Sequence, residues 1–277
     1  LPQLLPIVED TASSEITGNT VAEIIVDGSI TAPADEQPAA AEAMAITLVD
    51  NTGGEWQYQL SGSAAWTPIT SASGYVDLKD QALLLSAADK LRFVPSADTS
   101  GEVFFRFVAW DQSLGTAGAT IDLTTLTNTT AFSSTEATGT INITNLNDAP
   151  VISLLTGDSA EATVAEVDAG LSISGTLTLQ DVDVQDVVTA AVETVVLSGQ
   201  PTARLAALDP AILTSWLQIT PNPALGDTTS TGQITWNFDS LTEQFDDLAA
   251  GEQIVLAYTL RVSDDATPAE IDEQTVT

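Results

Sequence analysis

The chain has 277 residues, 44% of them hydrophobic, with 39 acidic against six basic side chains and a formal net charge of −33. The length suits one large domain or two ordinary ones, and the apolar content is enough for real cores. A surface so acidic excludes nucleic-acid binding, which needs a basic patch to displace counterions, and offers nothing to anionic lipid.

The composition is rich in Thr, Val, Ile, Ala, Ser and Asp, which favours β structure over helical bundles. In the first half, Gly54–Leu60 alternates, placing Trp56, Tyr58 and Leu60 on one side. Leu91–Val94 is a short strand closed by Pro95. Val103–Trp110 is apolar on both faces except for Arg106, the pattern of a central strand. The Thr-rich region Gly115–Glu136 has few apolar anchors and reads as a long excursion. Thr138–Thr144 is the last strand before the run Asn147-Asp148-Ala149-Pro150. That run offers oxygen ligands followed by a stiff residue, a hinge that a hard cation could lock.

The second half repeats the theme. Leu171–Leu179 alternates after Gly175, and Ile254, Leu256, Tyr258, Leu260 and Val262 share one face. Asp209-Pro210 starts a short helix running to about Leu217. Ser240-Leu241-Thr242-Glu243 reads as a capping box for a second helix, with Gly251 as its stop. The expected fold class is all-β: two tandem β-sandwiches, residues 1–150 and 151–277, with short helices in the second.

The acids are spread evenly, 19 in residues 1–150 and 20 in 151–277, so the charge belongs to the whole surface and not to a tail. Screening ions or bound cations relieve the self-repulsion this creates. There is no histidine and no cysteine, which removes the usual general base, the usual zinc ligand and any thiol nucleophile. No phosphate-cradling glycine loop is visible. Carboxylate pairs suited to glycoside hydrolysis are inevitable among so many acids and say nothing. The expectation is a protein that is not an enzyme. The opening Leu1-Pro2-Gln3 shows no signal-peptide pattern, and no stretch is long enough to span a membrane, so the chain reads as a monomeric fragment of a longer protein without direct membrane insertion.

Two sets of motifs carry a resemblance. Gly54-Glu55-Trp56-Gln57-Tyr58, Leu91-Arg92-Phe93-Val94-Pro95 with Ala97-Asp98, Ala109-Trp110-Asp111-Gln112, Ala131-Phe132-Ser133 and Asn147-Asp148-Ala149-Pro150 stand in order. With them the first half resembles a bacterial cadherin-like repeat. Ser174-Gly175-Thr176-Leu177-Thr178, Asp181-Val182-Asp183, Asp186, Trp236-Asn237-Phe238, Phe245-Asp246, Leu248–Glu252 and Val262-Ser263-Asp264-Asp265 make the second half similar to a VCBS-type repeat. Both kinds occur in giant repetitive RTX-type adhesins of Gram-negative bacteria. The resemblance implies immunoglobulin- or cadherin-like sandwiches strung as a calcium-stiffened extracellular stalk on the bacterial cell surface, serving attachment and biofilm formation. Its partners would be neighbouring modules of the same chain. Asn145 stands where animal cadherins carry the first acid of their junction motif, and the glycine-rich nonapeptide calcium repeats of such adhesins are missing.

Calcium takes several oxygen ligands in flexible geometry. Asp181 and Asp183, two residues apart on an extended segment, would point the same way, with Asp186 on the same loop. By the resemblance this loop faces the junction, Asp264 joins it from a late strand, and Glu9, Asn147 and Asp148 complete the set. Asp111 sits where Asp264 does in the other half and would face a preceding module with Asp35; Glu166 would face a following one. The bland alternative is solvated turn acids. The five tryptophans read as sandwich core, with Trp56 and Trp66 the candidates for a sugar-binding surface. A second function class stays open: a module that binds glycans or peptides through the 115–136 loop.

Overall fold

The computed structural model describes residues 4–25, 43–127, 129–201 and 203–277. The chain divides into two compact units, Leu1–Leu146 and Asn147–Thr277, both dominated by strands.

In the first unit β1 (Ile7–Val8), β2 (Asn19–Thr20) and a one-turn helix α1 (Val21–Ile24) precede β3 (Met44–Asn51). Then come β4 (Gly54–Gln59), β5 (Thr67–Pro68), β6 (Gly74–Asp77), β7 (Ala82–Leu85) and β8 (Lys90–Pro95). The long β9 (Gly101–Ala109), the short β10 (Thr120–Ile121) and β11 (Ala137–Thr144) complete it. One sheet runs β1-β11-β9-β3-β7-β10 with β6 also on β3; the other runs β2-β8-β4-β5. Their inner faces share one core. Trp56 of β4 lies at its centre, edge-on to Phe93 of its own sheet at 5.3 Å and to Phe105 of the other at 4.9 Å. The fully buried indole donates to the Asp50 carbonyl, so its one polar atom is satisfied. Strand β9 is central, between β11 and β3, as its two-sided apolar pattern predicts. On its outer face Phe104 meets Tyr75 at 5.6 Å, and Arg106 reaches over the Phe104 ring.

The Thr-rich excursion is better anchored than its composition suggests. Strand β10 adds to β7, Trp110 bridges to Phe132, and Ile121, Leu123 and Phe132 pack on Ala45, Ala82, Leu84 and Val108. The segment thereby covers the outer face of the sheet and builds a second small core there.

The second unit comprises β12 (Val151–Ser153), β13 (Ser172–Gln180), β14 (Thr189–Gly199), helices α2 (Ala203–Ala206) and α3 (Pro210–Ser215), β15 (Leu217–Thr220), β16 (Thr231–Asp239), β17 (Ile254–Ser263) and β18 (Ile271–Val276). Its sheets run β12-β13-β16-β15 and β14-β17-β18. Leu177, Leu179, Ile234 and Trp236 of the first sheet face Tyr258, Leu260 and Val262 of the second. Gly175 is opposite Trp236, and a Cβ there would lie 2.4 Å from the ring, so the alternating strand leaves that place empty for the indole.

Helix α3 forms where Asp209-Pro210 predicts it: the Asp209 carboxylate accepts the Ala211 amide and Pro210 takes the first turn. The helix expected after Ser240 does not form. The Ser240 amide donates to the Leu171 carbonyl, the Glu243 carboxylate binds Arg204, and Leu241 and Phe245 adopt φ of 57° and 58°. Both halves of the reciprocal cap are thus spent on tertiary partners, and the chain crosses in turns. A capping box does form at Thr20–Glu23, at the start of α1.

Candidate metal centre

Strand β13 ends at Gln180, and Asp181 follows it into the interior, 2% exposed. The Asp181 amide is held by the Ser230 carbonyl. Its Oδ1 accepts the Asp183 amide at 2.9 Å, and the Asp186 amide donates to the Asp183 carbonyl. The segment is therefore a tight turn and not the extended stretch its spacing suggests, because an aspartate readily takes the amide two residues on. On the neighbouring sheet Asp264 follows β17, 5% exposed. Its Oδ1 accepts the amides of Ala266 and Glu270 at 3.2 and 2.9 Å.

Two residues of the Asn147-Asp148-Ala149-Pro150 run join these turns. The Asn147 amide group donates to Asp264 Oδ2 at 2.9 Å, and the Asp148 backbone amide donates to Asp183 Oδ2 at 2.6 Å. Asn147, Asp148, Asp181, Asp183, Asp186 and Asp264 are thus linked within the second unit by hydrogen bonds or mutual charge.

The electrostatics are unfavourable as they stand. Asp181 Oδ2 and Asp186 Oδ2 are buried and have no hydrogen-bond partner. Burial pushes the Asp181 carboxyl up to about 6, and the charges of Asp183, Asp186 and Asp264 push it the same way. Asp186 is also raised, by burial first and then by Asp183, Asp264 and Asp265. A buried acceptor without a donor is costly, and native structures leave few of them. An all-oxygen set of this charge has the chemistry of a hard divalent cation site. No three oxygens of Asp181, Asp183, Asp186 and Asp264 close to within 4.8 Å of one another.

The remaining sequence candidates belong each to its own unit. Glu9, after β1, is 2% exposed, and its Oε1 accepts the Leu146 amide at 2.6 Å. Asp111 follows the Trp110 bridge, and its Oδ1 accepts both the amide and the hydroxyl of Ser113, a self-contained turn. Asp35 is outside the described residues. Glu166 is exposed and stands with Asp168 and Asp246, one oxygen of each within 4.8 Å of the others.

Two anchors escaped the sequence reading. Asp265 accepts the Val187 amide at 2.9 Å and adds to the field on Asp186; its place beside Asp264 was the available signal. Asp158 accepts from Leu155, Thr176, Thr178 and Gln233, and these bonds, the Leu155 amide first, draw its carboxyl down to about 2. Of the tryptophans, Trp56, Trp110, Trp216 and Trp236 are buried, so Trp56 is no sugar platform; Trp66 is half-buried at the rim of a cleft.

No family model matches the chain, and no curated protein matches it. Solved structures do. Human CDH23 EC21-23 is similar with a TM-score of 0.47 and 15% identity, over 100% of this chain and 71% of that one. Protocadherin gamma B7 extracellular cadherin domains 1–4 give a TM-score of 0.37 and 13% identity, over 80% of this chain and 39% of that one. The protocadherin gammaB7 EC3-6 cis-dimer structure gives 0.37 and 13%, over 99% of this chain and 45% of that one. The chain therefore spans less than half the length of these two protocadherin chains.

Proposed function

We propose that the chain is a calcium-stabilised extender of a bacterial cell-surface adhesin, with a cadherin-like sandwich in residues 1–150 and a VCBS-type sandwich in residues 151–277, serving attachment and biofilm formation. The observation that carries the reading is the pair of buried, unpartnered oxygens on Asp181 and Asp186 in the field of Asp183 and Asp264. Asp181, Asp183, Asp186 and Asp264 would hold the ion, which supplies the positive charge this set lacks. Asn147 and Asp148 are bonded to Asp264 and Asp183, so ion binding would also fix the chain entering β12. Calcium then adds its binding free energy to the folding of this unit. The alternating sheets and the low count of basic residues fit a surface spacer.

Thermal unfolding of the 277-residue chain with millimolar calcium, millimolar magnesium or excess chelator, at fixed ionic strength, tests this. A calcium-specific rise in melting temperature is expected; identical curves in calcium and chelator sink the reading.

A second reading, a ligand-binding module of the same adhesin, draws support from a cavity of about 570 Å³ beneath the 115–136 segment, lined by Thr124, Thr129, Ser134, Phe132 and the Lys79–Glu136 ion pair. Binding to a glycan or peptide array that a Thr124→Ala/Thr129→Ala double variant abolishes would favour it over the spacer.

A further inference from the structure

The six basic residues are few enough to follow one by one. Lys79 lies 3.4 Å from Glu136, Arg204 binds Glu243 and Asp247, and Arg261 is 3.6 Å from Glu193. Arg106 rests over Phe104. The remaining two, Lys90 and Arg92, are neighbours. They sit two residues apart on β8, and so on one face, where they pair across the ladder with Gln59 and Gln57 of β4. The opposite face carries Trp56, Leu91 and Phe93 into the core, so this pair is committed to the outside of the sheet.

Arg92 is the unusual member. It is only 7% exposed, and burial lowers its pKa. Its hydrogen bonds run to neutral oxygens: the carbonyls of Ser13 and Ile16, and Gln57 Oε1. Gln57 is oriented by Glu55, which accepts its amide at 2.7 Å. Among the described residues no carboxylate stands within 4.0 Å of Lys90 or Arg92, although the Lys90 charge helps to draw down the carboxyl of Glu23. Buried cations are ordinarily paired, and this chain has 39 carboxylates with which to pair them. The Arg92 guanidinium instead lies 4.1 Å from the centre of the Trp66 ring. Trp66, Gln59, Lys90 and Arg92, with Ser13, Ser14 and Thr17 of the facing segment, line an open cleft of about 370 Å³. That volume is at the lower end of ligand sites, which run from about 300 to 1,000 Å³.

We propose that this cleft binds a carboxylate-bearing sugar, a hexuronate unit of an acidic polysaccharide. Lys90 and Arg92 provide the local reversal of sign that an anion needs on a chain of charge −33. The accessible part of the Trp66 indole offers a flat apolar surface to the C–H face of a sugar ring. Gln59 and the serine hydroxyls supply donors and acceptors for ring hydroxyls. A simple carboxylate uses only the Lys90 ammonium, backed by the charge of the committed Arg92, and a neutral sugar only the rest; a hexuronate uses both. The site lies wholly in the first unit and does not depend on calcium in the second.

The test is an NMR titration of the 277-residue chain with glucuronate, in chelator and 0.15 M salt, following the Trp66 indole N–H assigned by its disappearance in Trp66→Phe. Glucose and acetate are the comparison ligands. The proposal expects saturable shifts of the Trp66 signal at glucuronate concentrations at least tenfold below those needed for glucose or acetate. It also expects Lys90→Gln to weaken binding tenfold or more at an unchanged melting temperature. A silent Trp66 signal, an equal response to acetate or to glucose, or full binding by Lys90→Gln overturns it. If Lys90→Gln does not fold, the titration of the unsubstituted chain decides alone.

Discussion

The Asp148 backbone amide donates to the Asp183 carboxylate at 2.6 Å, so the chain entering β12 is fastened to the most acidic turn of the second unit. The turn is thereby partly satisfied on one side, while Asp181 and Asp186 each keep a buried oxygen without a donor. That asymmetry makes removal of charge and removal of cation distinguishable.

Asp181→Asn is expected to raise the melting temperature in chelator, because it deletes a buried charge that its neighbours repel. The same change should abolish the increment calcium gives. For an unsubstituted site that increment is about 2.7 kcal/mol when calcium is one hundred times its dissociation constant. Differential scanning calorimetry in both buffers checks the two signs; a variant less stable in chelator, or one retaining the full calcium increment, contradicts the assignment.

Two carboxyls set opposite pH trends in chelator. Asp181 has its folded-state pKa raised to about 6 from 3.8, so the folded form holds its proton more tightly. Stability from this group is fully present below pH 3.8 and lost as pH rises through 6. Asp158 is drawn down to about 2, so its contribution is present above pH 3.8 and lost as pH falls toward 2. Urea unfolding against pH should show stability rising from pH 7 to about 4 and falling below it. Asp181→Asn should flatten the upper limb and Asp158→Asn the lower.

Gly175→Ala places a Cβ 2.4 Å from the Trp236 ring, which is buried and whose Nε1 is committed to the Ser159 carbonyl. Overpacking of this kind costs about 1–3 kcal/mol. Chemical denaturation of the alanine variant should show it, with the Trp236 fluorescence environment altered in the native state.

Trp56→Ala removes the ring that both sheets of the first unit enclose. A loss of about 3–5 kcal/mol is expected, measured by urea denaturation. Trp66→Ala, at the half-buried cleft, should cost far less.

Sheet structure was legible wherever one face of a strand is wet, as in Ile254–Val262, because a period of two survives in sequence. The acids at 181, 183 and 186 were legible by type and spacing, and Asp264 only through the resemblance. Their burial was not, since it depends on the carbonyls of Ser230 and Glu270 arriving from other loops. The Ser240 capping box misled for a related reason: Arg204, some forty residues away, takes the glutamate that a helix would have used. Arg92 passed as an ordinary strand residue because its partners are backbone carbonyls and an amide, which leave no charge pattern in the sequence.

The parallel pairing of β1 with β11 has a mechanical meaning. Leu4 is bonded to Thr140, Glu9 to Thr144, and Leu146 back to the Glu9 carboxylate, so the first and last strands of the unit lie side by side and point the same way. Tension drawing Leu4 and Leu146 apart loads this ladder along the strands, in shear, and its bonds must yield together rather than unzip in turn. A module placed in a line under flow is well served by that arrangement, whatever is at the end of the line.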